Sequence, residues 1–204
     1  MIEARQLKKS FGPQRVLDGV DLRVEKGESV VIIGRSGGGK SILLKHLIGL
    51  LRPDEGDVII DGESIAEMNE RQLLKVRRKF GMLFQGAALF DSLTVAENVA
   101  FVLQREGQLT EPEIVLFDEP TTGLDPIVAD SIDQLIVRVR EQLDVTTVAV
   151  THDMRSARRI GQRILMLYHG RIHFAGTPDE VFQSKDPLVY RFVNGISDPK
   201  ERNF

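Results

Sequence analysis

The chain has 204 residues, 42% of them hydrophobic and 28% charged, with a formal net charge of -3. That length and composition fit one globular α/β domain, and the charge gives no global field for nucleic acid or anionic lipid. The absence of cysteine rules out a disulfide framework, a thiolate nucleophile and a Cys-based metal site. No apolar run approaches the roughly 18 residues of a membrane span, and Met1-Ile2-Glu3-Ala4-Arg5 lacks a signal-peptide layout. Any role at a membrane is therefore expected to come through a membrane partner.

Residues 2–33 alternate like an antiparallel sheet: a strand near Ile2–Leu7, a turn at Phe11-Gly12-Pro13, then a strand over Val16–Val24. Phe11 offers an aromatic face for a nucleotide base, although its spacing alone favours an ordinary core residue. Lys26-Gly27-Glu28 turns the chain into Glu28–Ile33, an apolar, β-branched run of the kind buried on both sheet faces. The next residues, Gly34-Arg35-Ser36-Gly37-Gly38-Gly39-Lys40-Ser41, match G-x-x-x-x-G-K-S/T without a mismatch, and a helix follows over Ser41–Ile48.

Strand, glycine loop and helix form the context this motif requires. Glycines bring backbone N–H groups against phosphate oxygens, and the helix N-terminus adds unpaired donors and a positive dipole end. Lys40 is the residue for the β- and γ-phosphates, and the Ser41 hydroxyl for Mg²⁺. The stretch predicts binding of a nucleoside triphosphate.

Downstream, Arg52–Gly56 reads as a turn, Asp57–Ile60 as a strand closed by Asp61-Gly62, and residues 64–79 as helix. The basic end Arg77-Arg78-Lys79 reads as a solvated helix terminus rather than a nucleic-acid patch. Gly81–Gln85 is a predicted strand whose terminal amide could coordinate Mg²⁺ or orient water. Ala88–Leu93 reads as an apolar loop or short helix and Thr94–Arg105 as a capped helix.

Ile114–Glu119 ends a second buried strand in two carboxylates. With a phosphate loop upstream, Asp118 is the candidate Mg²⁺ ligand opposite Ser41, and Glu119 the candidate general base for an attacking water. Pro120–Asp125 is a loop, Ile127–Gln142 a helix, and Val145–Val150 another buried strand running into Thr151-His152-Asp153. His152 can there reach a γ-phosphate and the water near Glu119, whereas His46, His169 and His173 read as satisfied surface histidines. A helix over Arg155–Gly161, a hairpin over Arg163–Phe174 turning at His169-Gly170, a short helix from Pro178 and a polar tail from Ser197 complete the chain.

In order, the phosphate loop, Gln85, Leu116-Phe117-Asp118-Glu119-Pro120, Thr122-Gly123-Leu124-Asp125 and His152 resemble an ABC-transporter nucleotide-binding subunit over nearly the whole chain. The resemblance implies a P-loop α/β fold with a RecA-like parallel-sheet core over 28–86 and 111–204. It further implies an antiparallel β subdomain over 1–27 and a remnant of a helical subdomain over 87–110. It implies ATP and Mg²⁺ as ligands, with Phe11 at the base and Gly34, Arg35, Ser36, Gly37, Gly38, Gly39, Lys40, Ser41 and Ile42 around the phosphates. Gln85 becomes the Q-loop residue, Asp118 and Glu119 the Walker B pair, Asp125 the D-loop aspartate and His152 the switch histidine.

Ile33–Ser36, Leu44–Leu50, Leu83–Phe90 and Val193–Ile196 look like the Mla/Mce phospholipid-transport ATPases. That narrower likeness implies a cytoplasmic subunit, peripheral on the inner face of the inner membrane, which forms a homodimer. It implies a permease of the MlaE type, an MCE lipid-binding protein and a STAS-domain protein as partners, and no nucleic acid.

The departure from the family is the signature LSGGQ, which does not occur in this sequence. Only thirty-three positions run from Gln85 to Asp118, several dozen fewer than the family carries, and the break falls within Gly107–Glu113. Losing a subdomain exposes the apolar surface it covers, and nothing near the junction replaces it, so the expectation is a parent protein with the segment. A chain without it is expected to bind ATP and hydrolyse it poorly, because the signature completes the clamp on the γ-phosphate. The alternatives are a non-hydrolysing nucleotide switch and a soluble ABC-type ATPase acting on DNA or ribosomes.

Overall fold

The computed structural model describes residues 1–83 and 112–197. The predicted strand end and amide at Gln85, the segments Ala88–Leu93 and Thr94–Arg105, and the helical remnant over 87–110 lie outside the described residues.

Two sheets organise the rest. Strands β1 (Ile2–Phe11), β2 (Gln14–Val24), β4 (Glu55–Ile60) and β5 (Glu63–Ser64) form an antiparallel sheet in the order β2-β1-β4-β5. Strands β3 (Ser29–Ile33), β6 (Phe80–Leu83), β7 (Ile114–Asp118), β8 (Thr146–Thr151), β9 (Arg163–Tyr168) and β10 (Arg171–Gly176) form the second sheet. Its order is β10-β9-β3-β8-β7-β6, parallel except for the β9–β10 hairpin. Residues 55–64, assigned to the parallel core from sequence, therefore belong to the antiparallel sheet. β1 recruits them by pairing Ile2 with Ile60 and Ala4 with Val58.

β3 is wholly buried, and alternation divides its side chains between two cores. Val30 and Ile32 join Leu43, Leu44 and Leu47 of helix α1 (Lys40–Leu47) and the inner face of the antiparallel sheet. Val31 and Ile33 face helices α3 (Pro126–Leu143) and α4 (Met154–Ile160), meeting Ile132, Ile136, Ala157 and Ile160. Each fully buried Ile or Leu contributes about 1.5–3 kcal/mol. Helices α5 (Pro178–Phe182) and α6 (Pro187–Val193) close that second core through Val181 and Val189.

Several expectations need correction. The helix read over 64–79 begins only at α2 (Glu70–Arg77), where Asn69 and Gln72 form a capping box. Residues before it are held in the β5 hairpin and a turn. Arg77 is not simply solvated: it pairs with Glu70 and donates to the carbonyl oxygen of Gly49 at 2.7 Å, at the end of α1. Lys79 pairs with Asp61 at 2.5 Å. His46 is buried, with Nδ1 2.7 Å from the Ile42 carbonyl and Nε2 without a partner, and burial pushes its pKa down. Helix α6 had no counterpart in the sequence reading, although Asp186 caps it and Pro187 opens it.

Candidate functional site

The phosphate loop leaves β3 at Gly34 and enters α1 at Lys40. Two of its glycines have specific reasons to be there. A Cβ on Gly34 would lie 2.5 Å from the carbonyl oxygen of Leu167 in the neighbouring strand β9. Gly39 caps α1 at φ 95°, and a Cβ there would meet Val16 atoms at 3.0 Å. The antiparallel sheet thus packs directly on the loop.

Lys40 is 5% exposed. Its ammonium donates to the carbonyls of Gly34 at 2.8 Å and Arg35 at 2.9 Å, and lies 3.3 Å from Glu119 Oε1. Ser41 Oγ donates to Asp118 Oδ1 at 2.6 Å, joining the first turn of α1 to the end of β7. This hydroxyl–carboxylate pair is an all-oxygen donor set, the kind Mg²⁺ selects, so the two residues fit that ion.

Parallel pairing of β7 with β8, with Asp118 opposite Val150, brings the ends of both strands to the same edge. Glu119 sits just past that end at φ 51°, a left-handed conformation uncommon for a residue with a side chain. Its N–H donates to Val150 O at 2.9 Å. Its Oε2 lies 2.7 Å from His152 Nδ1 and accepts from Thr122 Oγ1 at 3.1 Å. Glu119 is 7% exposed, while the His152 side chain is 55% exposed. The carboxylate is thus held from three sides in a water-poor site, with the imidazole facing outward.

Lys40, Ser41, Asp118, Glu119 and His152 therefore meet at one sheet edge. Thr122 is an addition that spacing did not flag; its position three residues after Glu119 was the available signal. Phe11 is 47% exposed at the tip of the β1–β2 hairpin, which excludes the core role that its spacing favoured. Lys9 Nζ lies 5.7 Å from the Phe11 ring centre. Asp125 is spent locally, its Oδ1 accepting from the N–H groups of Ile127 and Val128 at the start of α3. Gln85 lies outside the described residues.

A family model described as ABC transporter matches residues 17–109. The chain is 31% identical to the intermembrane phospholipid transport system ATP-binding protein MlaF of Haemophilus influenzae, over 97% of this chain and 92% of that protein. This chain belongs to the ABC-transporter ATP-binding family. It is also 34% identical to the probable ribonucleotide transport ATP-binding protein mkl of Mycobacterium tuberculosis, over 95% of this chain. It spans 66% of that relative's length. Among solved structures, the dimeric bacterial ABC transporter cassette MJ0796 matches with a TM-score of 0.74 and 29% identity, over 87% of this chain and 99% of that one. The alignments with the MlaF and mkl relatives run over 242 and 238 positions, more than the 204 residues here. Each relative therefore carries positions with no counterpart in this cassette, in keeping with the short interval from Gln85 to Asp118.

Proposed function

We propose that this chain is the ATP-binding and hydrolysing subunit of a transporter that moves phospholipid or a related lipid. The single observation that carries the ATPase reading is the meeting of buried Lys40 and Glu119 with the exposed His152, beside the Ser41–Asp118 pair. The lipid assignment rests on the likeness to the MlaF relative.

In this reading, backbone N–H groups over Gly34–Ile42 cradle the phosphates, and the Lys40 ammonium exchanges carbonyl partners for the more strongly accepting β- and γ-oxygens. Ser41 and Asp118, with Gln85, would hold Mg²⁺, which would neutralise phosphate charge when bound. Glu119 takes the proton of a water aligned with the γ-phosphate. His152 holds the Glu119 carboxylate on one side and presents its exposed ring edge to the substrate. Phe11 supplies an accessible aromatic face for the adenine base. Asp125 acts near the partner subunit of a homodimer.

The subunit is peripheral on the cytoplasmic face of the inner membrane and works with an MlaE-type permease, an MCE protein and a STAS-domain protein. Among the described residues, no helix is long and apolar enough to cross a membrane. A second reading, a nucleotide switch that turns over slowly, draws support from the missing LSGGQ signature.

The test compares nucleotide binding and single-turnover hydrolysis for the parent and Glu119→Gln. The expected result is retained ATP binding with turnover at least about tenfold slower, the lower end of general-base effects. Equal turnover would overturn the role of Glu119. ATP binding with no hydrolysis in the parent would favour the switch.

A further inference from the structure

On the sheet face opposite α1, helices α3 and α4 leave a cleft of about 750 Å³ between them, a size typical of small-molecule sites. Leu124, Met154 and Phe182 give it apolar walls, and Asp133 of α3 contributes to its lining. Asp133 is 4% exposed. Its Oδ2 accepts from Ser156 Oγ at 2.8 Å, while Oδ1 is buried without a hydrogen-bond partner.

Arg155 also lines the cleft, and most of the other charges around it are paired. Asp130 pairs with Arg159, and Arg158 pairs with Asp179 while its guanidinium lies 4.9 Å from the Phe182 ring centre. Asp153 caps α4, accepting from the N–H groups of Arg155 and Ser156. A buried carboxylate oxygen without a partner, beside apolar walls, lacks a hydrogen-bond donor. An anion seated at that oxygen would meet the like charge of the Asp133 carboxylate itself.

We propose that this cleft binds a small organic ligand bearing a protonated amine on an apolar body, with the amine seated against Asp133 and the body against Leu124, Met154 and Phe182. The site touches both segments that carry the Glu119 and His152 pair. Thr121 follows Glu119 by two residues, and its Oγ1 lies 3.4 Å from Ser156 Oγ. α4 begins two residues after His152. An occupant of the cleft is therefore placed to act as an effector of that pair, yet its binding does not depend on ATP hydrolysis.

Phenethylamine is the probe, with hydrocinnamate as its anionic and phenethyl alcohol as its neutral counterpart. Each is titrated into the full chain at pH 7.5 without nucleotide, followed by calorimetry and saturation-transfer NMR. The expected result is saturable amine binding roughly tenfold tighter than that of either counterpart, the size of one charge-assisted hydrogen bond. D133N should lose that preference, and Ala129→Leu, which narrows the cleft with Asp133 intact, should weaken all three compounds. Equal amine binding by D133N, equal binding of hydrocinnamate, or no saturable binding by the parent would each overturn the proposal. Because no nucleotide is present, none of these outcomes depends on the ATPase reading.

Discussion

Asp133 also sets a test of how burial controls the stability of this fold. Burial pushes its carboxyl from the usual 3.8 up to about 6, opposed by the Ser156 hydrogen bond and Arg159 and reinforced by Asp153 and Asp130. A carboxyl whose pKa is higher folded than unfolded costs stability when it ionises. The cost is absent well below pH 4, grows between the two pKa values, and is complete above pH 6. The shift sets upper bounds of about 3 kcal/mol at pH 7.5 and about 1 kcal/mol at pH 4.5, which solvent in the adjoining cleft screens downward. Asp133→Asn removes the ionisation while keeping an acceptor for Ser156. The variant should therefore be more stable than the parent by up to about 3 kcal/mol at pH 7.5, with a gain of up to about 1 kcal/mol at pH 4.5. Urea unfolding followed by circular dichroism at both pH values reads this directly. A variant less stable than the parent at pH 7.5, or a difference independent of pH, would refute the reasoning and show that the ionised carboxylate is stabilised in the fold.

Lys40→Ala should weaken ATP binding by at least about tenfold, since a charge-assisted contact to phosphate is lost; a fluorescent ATP analogue measures it, and retained affinity would sink the loop's role. Phe11→Ala should leave thermal stability almost unchanged, because the ring is half exposed, while weakening adenine nucleotides about three- to tenfold, as expected for a lost aromatic stack. Equal affinity would remove Phe11 from the base site. Asn69→Ala breaks the capping box of α2 and should cost about 1 kcal/mol in urea unfolding, with nucleotide affinity unaffected. Gly34→Ala should lower the melting temperature by several degrees, as expected from a loss of about 1–3 kcal/mol on overpacking against the Leu167 carbonyl; an unchanged value would mean that the strand yields freely.

The phosphate loop was legible because its chemistry is local. A β-branched run, a glycine loop and a Lys-Ser pair opening a helix specify one another within fourteen residues, Glu28 to Ser41. The candidate Walker B carboxylates and His152 were legible for a related reason, since buried parallel strands read as apolar runs and leave their polar residues at the ends. The meeting of those ends was decided by tertiary structure. Parallel register sets Asp118 opposite Val150, and only then do Glu119 and His152 come within 2.7 Å and Lys40 within 3.3 Å of the same carboxylate.

Where the sequence reading failed, the deciding partner was distant in the chain. β4 joins the antiparallel sheet because β1 offers it an edge more than fifty residues away, and Phe11 is exposed because it stands at a hairpin tip. His46 lies on an apparently polar helix position but is enclosed once that helix packs. Asp133 looked like any charged residue on an amphipathic helix. Its burial, its unpartnered oxygen and the cleft beside it exist only because α4 packs against α3, an interaction between side chains that no local pattern encodes.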